Sequence, residues 1–273
     1  MEHKGIVFIG CSFTYGYALN YYYPNYIGDF KNPYPEVLGN VPQPDYLYQK
    51  QIRFTNKVAN HFDTWHLQPN RISGGDYDNI DYLNDLFNKD YHEPLSIDFK
   101  KIDIEKDIKC VIFQTSYIDR CFEIAYDRVK RKSDGKLFST HDELTGYLER
   151  WRFFDSTHNN LYQNFIYNQV FEIVWNDIKT CVKRFEEVGV SVYFLHMQDF
   201  WKNIKDEYLK SRHIPIEFRN KEYYCFNDIP EDGLIAFDFD YFGDLPPRDY
   251  HPNRELHNAV SKSIIKTIQH EFE

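Results

Sequence analysis

Two short clusters near opposite ends of the 273-residue chain carry residue types suited to covalent acyl chemistry. The first, Gly10-Cys11-Ser12-Phe13-Thr14-Tyr15-Gly16, sets a serine on a glycine-flanked turn directly after an apolar run. A serine in that setting presents its hydroxyl above a sheet edge, and neighbouring backbone N–H groups can be aimed at a developing oxyanion. A phosphate-binding loop fits less well, because the lysine of such loops is missing. The second cluster, Arg248-Asp249-Tyr250-His251-Pro252-Asn253, offers a histidine two residues after an aspartate. A serine hydroxyl is a weak nucleophile without a base, and the base works best when an acid orients it, so this cluster supplies what the first lacks.

The elements that must bring these clusters together can be read from hydrophobic pattern. Gly5-Ile6-Val7-Phe8-Ile9 is a continuous apolar run closed by Gly10, the pattern of a strand buried on both faces of a parallel sheet. Cys110-Val111-Ile112-Phe113 and Val190–Leu195 read the same way. Leu161, Phe165, Ile166, Val170, Ile173, Val174, Ile178, Val182 and Phe185 recur at helical steps and predict one long amphipathic helix that Gly189 ends. A terminal helix is expected from about Asn253 to His270, with Leu256, Val260, Ile264, Ile265 and Ile268 on its buried face. Strands alternating with helices imply an α/β fold, in which ligands bind at the carboxyl ends of the strands. Residues 20–46, 121–160 and 212–248 show no clear period and read as loop insertions that wall or cap a pocket. With no internal repeat and no linker composition, the whole of 1–273 is expected to form a single domain.

In order and setting, the clusters resemble the conserved blocks of the SGNH/GDSL hydrolase family. Gly10, Ser12, Thr14 and Gly16 match its first block, and Asp249, His251, Pro252 and Asn253 its last. Asn70-Arg71-Ile72-Ser73-Gly74-Gly75-Asp76 is similar to its second block, with Gly75 the expected backbone donor to an oxyanion hole and Gly74 beside it; an ordinary glycine turn is the plainer alternative. The third block departs: where the family has Gly-x-Asn-Asp, the chain reads Thr115-Ser116-Tyr117-Ile118-Asp119-Arg120, with Ile118 at the asparagine position. Losing one such donor costs on the order of a hundredfold in rate, so Ser116, Tyr117 or Arg120 would have to substitute. Cys11 also replaces the usual aspartate, and Arg248 holds the commoner position of the acid. That leaves a Ser-His dyad, or Asp244, as alternatives to Asp249.

The resemblance implies a three-layer α/β/α fold with a mainly parallel central sheet, flavodoxin-like. It also implies a serine esterase or acyltransferase acting on an ester-linked acyl group, acetyl before longer chains, with a carbohydrate ester as the first candidate. Ser12, His251 and Asp249 would be catalytic; Ser12, Gly75, Gly74 and Ser116 would form the oxyanion hole; Tyr117, Arg120 and Thr14 would support the site or the substrate. No metal and no organic cofactor is implied. The alternative from another class is a non-catalytic scaffold of the same fold that binds a glycan or a partner protein.

Composition narrows the remaining classes. A formal charge of -10 repels phosphate backbones, and the basic stretch Arg128, Lys130, Arg131, Lys132 sits beside the turn-like Ser133–Lys136 and reads as a solvated loop, so no nucleic-acid partner is expected. Five cysteines, an odd number without C-x-x-C spacing, fit reduced thiols in a cytoplasmic protein. The apolar stretch Ile6–Ile9 is too short for a signal-peptide core or a membrane span, and no membrane partner is expected. His61, His66, His141, His158 and His196 show no metal-ligand spacing. Asp238-Phe239-Asp240-Tyr241-Phe242-Gly243 has the cadence of a calcium loop, but Phe242 stands where an oxygen ligand belongs, and a turn is the plainer reading. His257, inside the terminal helix, reads as a packing or hydrogen-bonding residue, and Cys11 as a small buried one.

Overall fold

The structure, a computed structural model, describes residues 4–11, 14, 51–68, 75–92, 97–117, 122–125, 128–131, 133, 137–138, 156–234 and 252–273. Its centre is a parallel sheet of strands β1 (Gly5–Ile9), β2 (His66–Leu67), β5 (Ile108–Gln114) and β9 (Ser191–Leu195), in the spatial order β2-β1-β5-β9. The register pairs Ile6 with Cys110 and Ile9 with Phe113 across β1 and β5, then Cys110 with Ser191 and Gln114 with Leu195 across β5 and β9. Every residue of β1 is buried. This follows from an unbroken apolar run: successive residues point to opposite faces, so a strand with no polar position needs cover on both.

Two helical layers provide that cover. Helices α2 (Asp76–Asn88) and α4 (Ser156–Glu187) pack on the face formed by Val7, Ile9, Val111, Phe113, Val192 and Phe194. On α4 the buried residues Val170, Val174, Ile178, Val182 and Phe185 recur at three- and four-residue steps, as the period predicts. Gly189 closes that helix with φ +78, and its N–H donates to the Glu186 carbonyl at 2.9 Å. Helices α1 (Phe54–His61) and α6 (Arg254–Ile268) cover the other face against Ile6, Phe8, Cys110, Ile112, Tyr193 and Leu195. The result is an α/β fold with helices on both sides of a parallel sheet. Among the described residues no helix is long and apolar enough to cross a membrane.

Outside this frame the chain is more ordered than its composition implies. Within the stretch expected to be irregular at 121–160, strands β6 (Phe122–Ala125), β7 (Arg128–Arg131) and β8 (Leu137–Phe138) form an antiparallel meander, so Arg128–Arg131 is strand rather than loop. A strand paired in an antiparallel sheet can carry charged residues, because its backbone and not its composition makes the ladder. Within 212–248, β10 (Ile216–Phe218) and β11 (Lys221–Tyr223) form a hairpin. Small pairs are completed by β3 (Tyr91–His92) with β4 (Ile97–Asp98), and short helices α3 (Ile104–Asp107) and α5 (Glu207–Ser211) precede β5 and β10. The expected loop at 20–46 lies outside the described residues.

Candidate active site at the carboxyl edge of the sheet

The chain runs from β1 outward to β2 and then back across β1 to β5, so the strand order reverses between β1 and β5. In open parallel sheets the crevice outside the carboxyl ends at such a reversal is where ligands bind. Gly10 and Cys11 follow β1 there, and Gln114 ends β5 beside them. Gly10 has no room for a side chain: a Cβ would collide with Thr14 Oγ1 and come within 2.9 Å of Gln114 Cβ. Thr14 donates its hydroxyl to Gln114 Oε1, while Gln114 Nε2 donates to Cys11 Sγ at 3.1 Å. Cys11 is buried in the cluster beneath α1 and α6, as a small apolar residue would be. One buried carboxamide therefore holds both described residues that flank positions 12 and 13.

A second link joins the start of α2 to the segment after β5. Gly75 is the N-cap of α2, and the fully buried Asp76 is its first residue. The Ser116 N–H donates to Asp76 Oδ1 at 2.7 Å, and Ser116 is itself buried. A carboxylate at a helix N-terminus is favoured by the unsatisfied amides and the helix dipole, and this one also accepts from a neighbouring loop. The Gly75 N–H donates to Asp78 Oδ2 at 2.8 Å, the side-chain half of a capping box. The Gly75 amide, the backbone donor expected for an oxyanion, and the Ser116 amide are thus both engaged by carboxylates of α2. Tyr117 donates its hydroxyl to Asn227 Oδ1 at 2.9 Å, which ties the same segment to the region after β11.

Further along the edge, Thr115 fastens β5 to β9. Its N–H donates to the Leu195 carbonyl at 2.8 Å, its hydroxyl lies 3.3 Å from His196 Nδ1, and the Met197 N–H donates to that hydroxyl at 3.3 Å. His196 is fully buried within a ring stack with Trp201, His213 and Tyr224. Burial, with a smaller contribution from His213, holds its imidazole well below the usual histidine range, so it is a neutral structural group at pH 7. His257 is buried in α6, accepts the Phe54 N–H on Nδ1 at 3.2 Å, and stacks on the Phe54 ring.

Of the residues expected from sequence to form the site, Thr14, Gly75, Ser116 and Tyr117 are described, and all four belong to the segments following β1, β2 and β5. Ser12, Gly74, Ile118, Arg120, Asp244, Asp249 and His251 lie outside the described residues, as does the calcium-like stretch at 238–243. The last block is represented by Pro252, which is buried, and by Asn253, the N-cap of α6. Its Oδ1 accepts the Leu256 N–H at 2.8 Å and its Nδ2 donates to the Asp232 carbonyl at 2.7 Å. Sequence reasoning missed Gln114 and Asp76. The available signals were a lone polar side chain ending an apolar strand and an acid at the first position of a helix.

Among the described residues no three His, Cys, Asp or Glu side chains are grouped to hold a metal ion. A cavity of about 730 Å³ lined by Trp65, Leu67, Lys101 and Lys106 opens at the amino ends of β2 and β5, on the side of the sheet away from the reversal crevice. Its position is unlike that of ligand sites in parallel sheets, and none of the described residues considered for chemistry lines it.

No family model matches the chain. No curated protein matches it in sequence. Among solved structures it is similar to an acetyl xylan esterase from the rumen bacterium Butyrivibrio proteoclasticus, with 11% identity and a TM-score of 0.38, over 99% of this chain and 64% of that one. The chain therefore spans less than two thirds of that esterase's length, and at this TM-score the likeness bears on neither activity nor substrate.

Proposed function

We propose that the chain is a serine esterase of SGNH/GDSL type that cleaves or transfers an acyl group, acetyl in the first instance, held in ester linkage to a carbohydrate or other small molecule. The observation that carries this reading is the bonding of Gln114 to Cys11 and Thr14 at the strand-order reversal. It bonds Cys11 and Thr14, the described residues on either side of positions 12 and 13, to one strand end, which supports a functional reading of the Gly-x-Ser-x-Thr pattern. In the proposed mechanism His251 takes the Ser12 proton, Ser12 Oγ attacks the ester carbonyl, and the alcohol leaves with a proton returned by His251. Water, activated by the same histidine, then releases the acid. Asp249 orients His251 and supports its charged form.

The oxyanion would rest on the N–H groups of Ser12 and Gly74 or Gly75. Gly75 can serve only once its amide leaves Asp78, and Ser116 can serve only through its hydroxyl while Asp76 holds its N–H. The aromatic-rich stretch Tyr21-Tyr22-Tyr23-Pro24-Asn25-Tyr26 supports a carbohydrate ester as substrate, since flat side chains stack on sugar faces. The engaged amides, with Ile118 at the asparagine position, favour the second reading, a non-catalytic scaffold that keeps the crevice as a binding site.

Incubation with p-nitrophenyl acetate and with a fluorophosphonate, beside Ser12→Ala, separates the two. The esterase reading expects hydrolysis and covalent labelling that both vanish in the variant. Failure of the intact protein to react with either reagent, across acetyl and longer acyl esters, rejects it in favour of the scaffold.

A further inference from the structure

We infer that Gln114 is a positioning residue for the Ser12 nucleophile, a role that rests on the esterase reading above. From Cys110 to Phe113 strand β5 is apolar and buried, and its last side chain is a carboxamide only 1% exposed. An amide buried without partners is costly, so a polar residue at this point of a core strand needs bonds at both ends. It has them: Oε1 accepts from the Thr14 hydroxyl and Nε2 donates to Cys11 Sγ at 3.1 Å. The bonds cross 100 and 103 positions of chain and end on the two residues that flank Ser12 and Phe13. Three residues of backbone reach at most about 11 Å, and one side chain bonded to Cys11 and to Thr14 ties both described ends of that reach to the end of β5. Gly10 completes the arrangement, since any Cβ there would push Thr14 and Gln114 apart.

Catalysis by an attacking hydroxyl is sensitive to such placement, because a misplacement of about 1 Å can cost on the order of a hundredfold in rate. A side chain that merely fills space would behave differently: its replacement by an apolar residue of similar length would change stability without separating kcat from KM. Gln114→Met keeps length and volume and removes both bonds. Gln114→Glu keeps an oxygen facing Thr14, and Thr14→Val breaks the same bond from the other side.

The test measures p-nitrophenyl acetate kinetics, the rate of fluorophosphonate labelling, and amide hydrogen exchange over residues 10–16 in the wild type, these three variants and the Thr14→Val/Gln114→Met pair. Gln114→Met is expected to lower kcat and labelling by about ten- to a hundredfold with KM held, and to speed exchange over 10–16. Thr14→Val should move the same quantities in the same direction, the pair should be no worse than the worse single variant, and Gln114→Glu should recover part of the rate and of the exchange protection. An active wild type whose Gln114→Met variant labels, turns over and exchanges like the parent overturns the inference and leaves the esterase reading standing. A wild type that neither hydrolyses nor labels overturns the esterase reading instead, and with it the nucleophile role of Ser12. In that case the exchange data still decide whether Gln114 holds the turn.

Discussion

Asp76 shows how much a single buried side chain can be asked to do when two loops must keep a fixed separation. Its carboxylate is fully buried, starts helix α2, and accepts the Ser116 N–H at 2.7 Å from the segment after β5. A hydrogen bond to a charged group contributes roughly 1.5–3 kcal/mol, and removing one partner also leaves the buried amide without that acceptor. Asp76→Ala is therefore expected to lower unfolding stability by about 2 kcal/mol or more, read as a lower urea midpoint at unchanged slope. Asp76→Asn keeps an oxygen where Ser116 needs it and should lose distinctly less. Equal midpoints for the two variants would mean that the bond to Ser116 contributes nothing beyond the helix start. The bonds of Gln114 run to the segment after β1, whereas this bond of Asp76 joins the segments after β2 and β5.

At the scale of elements, the start of α6 carries the last of the sequence clusters. Asn253 caps the helix through Leu256, reaches back to the Asp232 carbonyl through Nδ2, and donates its own N–H to the Gly233 carbonyl at 3.0 Å. Asn253→Ala should cost about 1 kcal/mol for the cap, with a further decrement for the lost tie to Asp232. Asn253→Asp keeps the cap and removes only that tie, so thermal unfolding of the two variants apportions the effect; a variant pair with identical midpoints would assign all of it to the tie. The elements that sequence made legible share one property: their pattern is dictated by burial. β1, β5 and β9 are apolar on both faces, and α4 and α6 bury one stripe, so run length and period announce them. β2 has two residues and a half-buried surface, which leaves no pattern to read. The β10–β11 hairpin turns on Arg219 and Asn220, both with positive φ, where glycine is the usual signal. β7 has the composition of a solvated loop, three of its four residues being Arg or Lys, although its backbone pairs on both sides. In the site, the types at 10–16 and 70–76 were visible because they are local motifs. The partners Gln114 and Asp76 were not, since which strand end meets which turn depends on the order β2-β1-β5-β9 and not on neighbours in the chain.

Across the whole molecule helix α4, the sheet edge and the segments flanking the β10–β11 hairpin meet at the His196 stack, and that junction makes folding sensitive to acid. The His196 ring lies 5.2 Å from Trp201, 5.1 Å from His213 and 5.3 Å from Tyr224, each within 18° of parallel, and its Nδ1 faces Thr115. Burial first, and then the neighbouring His213, lowers the His196 pKa well below 6.5; burial also lowers His213, although its Nε2 contacts the Tyr224 carbonyl. A histidine whose folded pKa lies below its unfolded value binds its proton in the unfolded chain first, so stability is complete above about pH 6.5 and declines as pH falls beneath it. Each such group contributes at most about 1.4 kcal/mol per pH unit within that window. The unfolding midpoint should therefore hold steady between pH 7 and 8 and fall from about pH 6.5 toward 5, where most carboxylates remain charged. His196→Phe preserves an aromatic ring in the stack and removes its titration, at the expense of the Thr115 contact. It should lower the midpoint at pH 7.5 yet flatten the decline toward pH 5. Parallel pH profiles for the variant and the parent would show that His196 does not carry the effect, and His213→Phe would then be the variant to compare.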